Sequence, residues 1–198
     1  SAGAYTAGVL DFLLEALTAF EAKRVSGDAD APLHRPILKA ASGSSGGGIC
    51  AALLAIAATR RITHVTSPSQ AVQSFENPLY NLWTLEDLNV ASFVSSADLD
   101  RPDRPADLPL SVLNGDVLEI ASDFAFVTPA AAANYPFVAD PFAVNLATTS
   151  LRGVPYAIPF ITDKADGDPG IGRHGMRMHA DHLRFAWSST GQTLPGSI

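Results

Sequence analysis

A glycine-rich turn between a candidate strand and a candidate helix constrains this chain more than any other feature. Gly43-Ser44-Ser45-Gly46-Gly47 matches G-x-S-x-G, with Ser45 at the position of a nucleophile. A short apolar segment ending at Ala41 indicates a strand, and an apolar run from Gly46 to about Arg60 indicates a buried helix. Such a sharp strand-to-helix turn forces the serine into a strained conformation and projects its hydroxyl. The pattern therefore predicts a nucleophile elbow.

The predicted elbow also gives a role to the Gly46 amide. Two other interpretations of this segment stay open. At a helix N-terminus this amide can help stabilise an oxyanion. G-x-S-x-G also arises by chance in glycine- and serine-rich loops, so a flexible loop is one alternative. A phosphate-binding turn is the other, although a P-loop requires Gly-Lys-Ser/Thr and this segment contains no lysine. Neither Ser42 nor Ser44 has glycines at both of the offsets that the motif requires.

Composition limits the classes to which the chain can belong. The 198 residues are 47% hydrophobic and 17% charged, against about 25% charged in an average domain, so a folded domain with a sizeable core is expected. Thirteen basic and twenty acidic residues give a net charge of −7. Because no basic stripe is present, nucleic-acid binding is not expected as a main role. The single cysteine, Cys50, excludes an intramolecular disulfide framework.

The first sixty residues alternate helix, strand and helix. Residues 4 to 24 predict an amphipathic helix that ends near Gly27. Its charged side chains are expected to face water, namely Asp11, Glu15, Glu21 and Lys23. Helix, strand, helix and then further strands indicate an α/β domain.

The remainder of the chain divides into a proline-rich part and a strand-rich part. Residues 66–136 predict a cap or insertion over a site, with short helices near Thr84–Leu88 and Gly115–Phe124. A strand pattern follows at Phe142, Val144 and Leu146. The sequence then predicts a turn at Leu151–Val154, followed by Pro155–Ile161 as the hairpin partner of this strand. A loop at Asp163–Gly175 and a last strand at His182–Trp187 complete the prediction.

Two motifs in this order and at this separation resemble the patatin-like phospholipases. Residues Ser1 to Leu10 are similar to the opening of that family, in which a glycine-rich loop runs into a helix bearing an aromatic residue and then Gly-Val-Leu. Ala40–Gly47 and Ala51–Ala55 fit the family's strand, G-x-S-x-G and alanine-rich helix. The resemblance covers residues 1 to about 60. It implies a mostly parallel central sheet flanked by helices, and related to the α/β-hydrolases.

The resemblance also implies roles for individual residues. Ser45 would be the nucleophile, and Gly3 matches the last glycine of the family's oxyanion-hole loop. Gly43, Gly46 and Gly47 would complete the elbow and the oxyanion-stabilising backbone. The family's second catalytic residue is an aspartate of a D-G-[G/A] motif, which acts directly as the base of a Ser–Asp dyad.

Asp166 is the one candidate in this sequence for that base. It lies in Asp166-Gly167, but Asp168 follows, so the segment departs from the family motif, and Asp-Gly is also an ordinary turn signal. We therefore expect the base to lie beyond Ile198, and residues 1–198 to form one catalytic domain truncated at both ends. On this interpretation the chain alone should be inactive or nearly so.

Histidines near the end of the chain are candidates for a catalytic triad or a metal site instead of a Ser–Asp dyad. His174, His179 and His182 lie close to Asp181, and if this stretch is a strand, His179 and Asp181 share one face. Ordinary loop and strand histidines are the favoured interpretation. A Ser-His-Asp triad, which has the chain order of an α/β-hydrolase, and a metal site remain alternatives.

Cys50 and the apolar residues near Trp83 can each be interpreted either as parts of the core or as functional groups. Because Cys50 lies in an apolar helix, a buried structural thiol is favoured over a reactive one. Core packing is favoured over a lipid-facing patch for Tyr80, Leu82, Trp83 and Leu85.

The expected function is serine-dependent cleavage of acyl esters of phospholipids or neutral lipids, through a Ser–Asp dyad and an acyl-enzyme. The alternatives are an α/β-hydrolase esterase with a Ser-His-Asp triad, and a binding domain without catalysis. No cofactor and no metal are implied, and the expected partner is an acyl-lipid substrate. No leader or transmembrane segment is visible in the sequence, so a cytoplasmic location or peripheral membrane contact is expected.

Overall fold

The computed structural model describes residues 2–67, 77–84, 89–100, 113–126, 132–163 and 169–197. These residues form a mixed α/β fold, as the order of helix and strand patterns predicts. The elements are α1 (Ala2–Ser26), β1 (Leu38–Gly43), α2 (Gly46–Ala57), α3 (Pro78–Thr84), α4 (Val90–Phe93), a 3₁₀ turn (Ala97–Asp100), α5 (Asp116–Phe126), β2 (Val138–Asp163) and β3 (Pro169–Trp187).

The described strands form one three-stranded sheet in the order β1-β2-β3. β1 pairs with β2 in parallel, with Gly43 opposite Leu146, and β2 pairs with β3 in antiparallel. For these strands the expectation of a mostly parallel sheet is wrong. β2 and β3 form a hairpin, which needs only a short connection, whereas the parallel pair requires the long crossover through α2 and the helices after it.

β2 continues through the segment where the sequence predicted a turn. Leu151–Val154 lies inside β2, at a register shift in which Gly153 adopts a φ of 65°. The partner of Pro155–Ile161 is β3, which begins at Pro169, inside the segment predicted as a loop. Continuous pairing with β3 on both sides of the shift keeps β2 extended, and the glycine supplies a bulge rather than a reversal.

α1 confirms the first predicted helix, but two of the charged residues that were expected to face water are buried. It ends at Ser26, and Gly27 follows with a φ of 72°. Asp11 and Glu21 were expected to face water, but each is only 8% exposed. Asp11 is paired with a histidine, described below, and Glu21 accepts two hydrogen bonds from Arg24 of 2.7 and 2.8 Å. These bonds hold the pKa of the Glu21 carboxyl below its usual value.

α1 is also the one described helix that is long and apolar enough to cross a membrane. The stretch is Gly3–Ser26, with a mean hydropathy of 1.2. Core helices of soluble proteins and leader sequences pass the same test of length and composition. In this fold α1 contributes Ala7 and Leu14 to the main core.

The core lies where α1, α2, α3 and α5 meet. α2 confirms the predicted buried helix, since Cys50, Leu53, Leu54 and Ala57 are all at most 4% exposed. On its other side Ala51 packs against Phe142 and Val144 of the sheet. α5 confirms the second short helix predicted between residues 66 and 136. The first was predicted at Thr84–Leu88, of which only Thr84 is described, as the last residue of α3, and residues 85–88 lie outside the described part of the chain.

Candidate active site

The backbone at Ser45 has the conformation that the elbow pattern predicts. β1 ends at Gly43 and α2 begins at Gly46, so two residues make the whole turn. Ser45 adopts φ 52° and ψ −131°, and it is the one non-glycine residue with positive φ in the described ranges. Such backbone conformations cost about 1–3 kcal/mol and are concentrated at functional sites. Ser45 is exposed, and its side chain makes no capping hydrogen bond to α2.

The glycines of the motif differ in how strictly the structure requires them. A Cβ at Gly43 would lie 2.6 Å from the Gly48 nitrogen and closer still to the carbonyl of Gly47. These are backbone atoms of the first turn of α2, so they cannot move aside like a flexible side chain. A Cβ at Gly46 would make only ordinary contacts, and one at Gly47 would meet no atom of the described residues within 4 Å. Backbone contacts therefore require glycine at position 43 but not at position 47.

One unpaired backbone amide at the start of α2, that of Gly46, gives the turn its electrostatic character. The Gly47 amide donates to the Ser44 carbonyl at 2.9 Å, and the Gly48 amide donates to the Ser45 carbonyl at 2.9 Å. The Gly46 amide has no hydrogen-bond partner among the described residues. A free amide at a helix N-terminus attracts negative charge. It follows directly after Ser45, where an oxyanion formed by attack of that serine would need a donor.

The structure brings Gly3 next to the elbow, as the resemblance implies. The Cβ position at Gly46 lies 3.6 Å from the Gly3 Cα. The buried Cys50 thiol, one helical turn further along α2, donates to the Gly3 carbonyl at 3.3 Å. Trp83 of α3 covers the same glycine, because a Cβ at Gly3 would lie 2.7 Å from the indole Cζ2. Sequence motifs 40 residues apart therefore meet at one point, and this contact requires glycine at position 3.

An apolar groove runs along α2 from this point. Its volume is about 330 Å³, within the range of small-molecule sites. Gly48 and Ile49, in the first turn after Ser45, begin the groove, and Leu146 opposite Gly43 contributes from the sheet. The other lining residues come from the remainder of α2 and from α3, α4 and α5: Ala52, Leu53, Ile56, Leu82, Trp83, Phe93, Leu118, Ala121, Ser122 and Ala125.

The candidates for a base that lie within the described ranges are not placed at the elbow. Asp166 lies outside the described residues. His182 of β3 pairs with Ala147 of β2, and the neighbouring residue Leu146 pairs with Gly43 at the end of β1. Because adjacent strands are about 5 Å apart, His182 lies about 10 Å across the sheet from the end of β1. By strand alternation its side chain lies on the face opposite Leu183, which pairs with Leu146 on the α2 side. The structure does not bring His182 to Ser45.

The other histidines of this cluster lie on β3 as exposed strand residues. The predicted strand geometry holds, so His179 and Asp181 share a face. His179 Nδ1 is 2.7 Å from the Ser150 carbonyl on the bulge of β2. No group of three or more His, Cys, Asp or Glu side chains that could hold a metal occurs within the described ranges.

Cys50 and Trp83 have structural roles. Cys50 is 1% exposed, and burial raises the pKa of its thiol. Trp83 is half-buried and packs against the main core, Leu82 lies within that core, and Tyr80 is half-buried. Core packing is therefore confirmed for Leu82 and Trp83, whereas Leu85 lies outside the described residues.

A partly buried acid–histidine pair lies outside every motif of the sequence. Asp11 Oδ1 lies 2.7 Å from His64 Nδ1, and the Val65 amide donates to Asp11 Oδ2 at 3.3 Å. Their side chains are 11% and 20% exposed. Asp11 lies eight residues after Gly3, about 12 Å along α1, so the pair is separate from the elbow. The sequence signal for it was an acid within the apolar face of the first helix.

Comparison with known proteins adds one relative. The chain is 36% identical over 206 aligned positions to "Uncharacterized protein y4iI" of Sinorhizobium fredii (strain NBRC 101917 / NGR234), an alignment that covers 98% of this chain and 27% of that protein. The chain thus spans about a quarter of the length of the curated relative that it matches. No family model matches the chain. No solved structure matches it.

Proposed function

We propose that this chain carries the nucleophile of a serine acyl hydrolase of the patatin-like type, with Ser45 as the attacking residue. The observation that carries the proposal is the backbone of Ser45. A serine held at φ 52°, between a strand and a helix whose first amide is free, presents its hydroxyl and an anion-stabilising donor at the same point. Neither a flexible loop nor a phosphate-binding turn requires this strained conformation at a serine.

The reaction follows from these groups. The Ser45 Oγ forms a bond to the ester carbonyl carbon while its proton passes to a carboxylate base, and the carbonyl oxygen becomes an oxyanion. The Gly46 amide donates to that oxyanion, and one such donor is typically worth about 10²–10³ in rate. Collapse of the intermediate breaks the bond to the leaving alcohol, which takes the proton. Water then releases the acyl group from Ser45 by the same steps.

The proposed base is an aspartate, as in the dyad of the resembling family, and Asp166 is the candidate within this chain. A carboxylate at its ordinary pKa of about 4 is a weak base at neutral pH, so the active enzyme must raise that pKa by burial. No cofactor or metal enters this chemistry.

The apolar groove favours an acyl lipid as the substrate class. Gly48 to Ile56 extend for about 12 Å at about 1.5 Å per residue. With C–C bonds of about 1.5 Å, that length corresponds to an extended chain of roughly eight to ten carbons. Each buried methylene contributes about 0.8 kcal/mol to binding. We propose that the enzyme is cytoplasmic or makes peripheral contact with a membrane. In the second case the membrane would supply the lipid substrate.

Hydrolysis of acyl esters of graded chain length tests the proposal. In the protein expressed from its full gene, turnover of octanoyl and decanoyl esters should be lost in Ser45→Ala and retained in Ser44→Ala, the neighbouring serine of the same turn. Retention of activity in His179→Ala and His182→Ala supports the dyad over the triad, and loss of activity in Asp166→Asn would assign the base to Asp166. Equal turnover by the wild type and Ser45→Ala would refute the proposed role of Ser45.

A further inference from the structure

A second cavity lies on the other side of Trp83, between α1 and α3. Its volume is about 520 Å³, within the range of ligand sites. Ala4, Gly8 and Leu79 contribute small or apolar surface to its lining. The cavity shares Trp83 with the acyl groove, and the same indole packs against Gly3 beside the elbow. Ala4 places one end of the cavity beside Gly3 and the elbow, and Glu15 lies eleven residues, or about 16 Å, further along α1.

Aromatic rings and carboxylates line this cavity together. Phe12, Tyr80 and Trp83 supply three aromatic side chains from two helices. Asp11 and Glu15 supply two carboxylates from adjacent turns of α1. Aromatic faces attract cations through their ring quadrupole, and sites of this composition bind quaternary ammonium groups. The cavity contains no lysine or arginine to neutralise the two acids.

The two carboxylates are held in different ways. Asp11 is fixed by His64 and by the Val65 amide, so it cannot swing out to solvent. Glu15 is half-buried and makes no hydrogen bond or ion pair with any residue that the structure describes. A partly desolvated carboxylate without a partner favours a ligand that brings the opposite charge. Glu15 is therefore the group to which a cation in this cavity would pair.

We propose that the cavity between α1 and α3 binds a small organic ammonium group between Tyr80, Trp83 and Phe12, opposite Glu15. The ammonium can belong to a lipid head group or to a free amine. The choice of the lipid head group as the relevant source rests on the proposed function. An ester bound at Ser45 would have its acyl chain in the groove on one side of Trp83 and its head group in the cavity on the other side.

Calorimetric titration of Ser45→Ala with choline tests the site without turnover. We expect a Kd of about 1 mM or lower, and binding at least about tenfold weaker for 3,3-dimethyl-1-butanol, the uncharged isostere of choline. Glu15→Gln should weaken choline binding by about fivefold or more, whereas Asp30→Asn, an exposed acid outside the cavity, should leave it unchanged. Tyr80→Leu should weaken choline binding similarly, whereas Tyr5→Leu, which changes a 77% exposed aromatic residue of α1 outside the cavity, should not.

The outcomes separate this site from the proposed hydrolase. Equal affinity for choline and its uncharged isostere, or an unchanged Kd in Glu15→Gln, would overturn the ammonium site even if Ser45 proves catalytic. Choline binding without any hydrolysis would support the site and refute the proposed function instead. If the source is a head group, Glu15→Gln should lower turnover of phosphatidylcholine more than that of phosphatidylglycerol. If it is a free amine, both lipids should be hydrolysed equally while choline binding persists.

Discussion

Replacing Gly43 by alanine should destabilise the protein through a backbone collision at the elbow. The added Cβ would lie 2.6 Å from the Gly48 nitrogen and closer to the Gly47 carbonyl, so α2 must shift away from β1. Overpacking in well-packed regions costs about 1–3 kcal/mol, and a rigid backbone contact falls at the upper end. At about 2–4 °C per kcal/mol for a chain of this size, a cost of about 3 kcal/mol lowers Tm by roughly 6–12 °C.

Gly47→Ala is the matched control, because it makes the same chemical change four residues later. Its Cβ would meet no described atom within 4 Å, and alanine has a higher helix propensity than glycine by up to about 1 kcal/mol. Thermal unfolding followed by circular dichroism should therefore give an unchanged or higher Tm for Gly47→Ala. An equal loss of stability in both variants would refute the steric argument, as would a Gly43→Ala variant that unfolds at the wild-type temperature.

Other changes give separate tests. Ser45→Gly should raise the free energy of unfolding by about 1 kcal/mol in chemical denaturation, because glycine relieves the strain at φ 52°, and Ser45→Ala should not. The hydrogen bonds from Ser188 and Ser189 lower the pKa of Asp140, so its stabilising contribution is present above the unfolded value of about 3.9 and is lost as the pH falls below it. In urea titrations between pH 3 and pH 5, Asp140→Asn should show a smaller loss than the wild type, and parallel curves would contradict this. Cys50, buried and with a raised thiol pKa, should resist iodoacetamide in the native protein and react after denaturation, as measured by mass spectrometry. Ala52→Phe should narrow the groove and lower turnover of decanoyl relative to butyryl esters by about tenfold, and an unchanged chain-length profile would contradict the assigned acyl site.

Local sequence patterns were sufficient for the elbow and the helices around it. The strand, the glycine turn and α2 depend on interactions between near neighbours, and the glycine spacing around Ser45 specifies a turn that few other sequences can make. The meeting of Gly3 with Gly46 could be anticipated only through the family resemblance, because nothing in the spacing of the two motifs places them in contact.

The errors arose where distant residues decide the outcome. Asp11 was assigned to the water-facing side because its partner, His64, lies 53 residues away. Gly153 was interpreted as a turn, but pairing with β3 holds the chain extended through it. Pairing of this kind depends on non-local registration, which sequence periodicity alone does not encode. Sequence periodicity also gives no sign of the cavity between α1 and α3, because its walls come from helices that are separated by more than fifty residues.

Reaction with a fluorophosphonate, followed by mapping of the modified peptide, tests the central claim most directly. In the folded protein expressed from its full gene, we expect the probe to form a covalent bond to Ser45, labelling to be absent in Ser45→Ala, and labelling to persist in Ser44→Ala. Denaturation before labelling should abolish the reaction, because Ser45 depends on the elbow for its reactivity. Modification of another residue, or no modification of the native protein at all, would contradict Ser45 as an activated nucleophile.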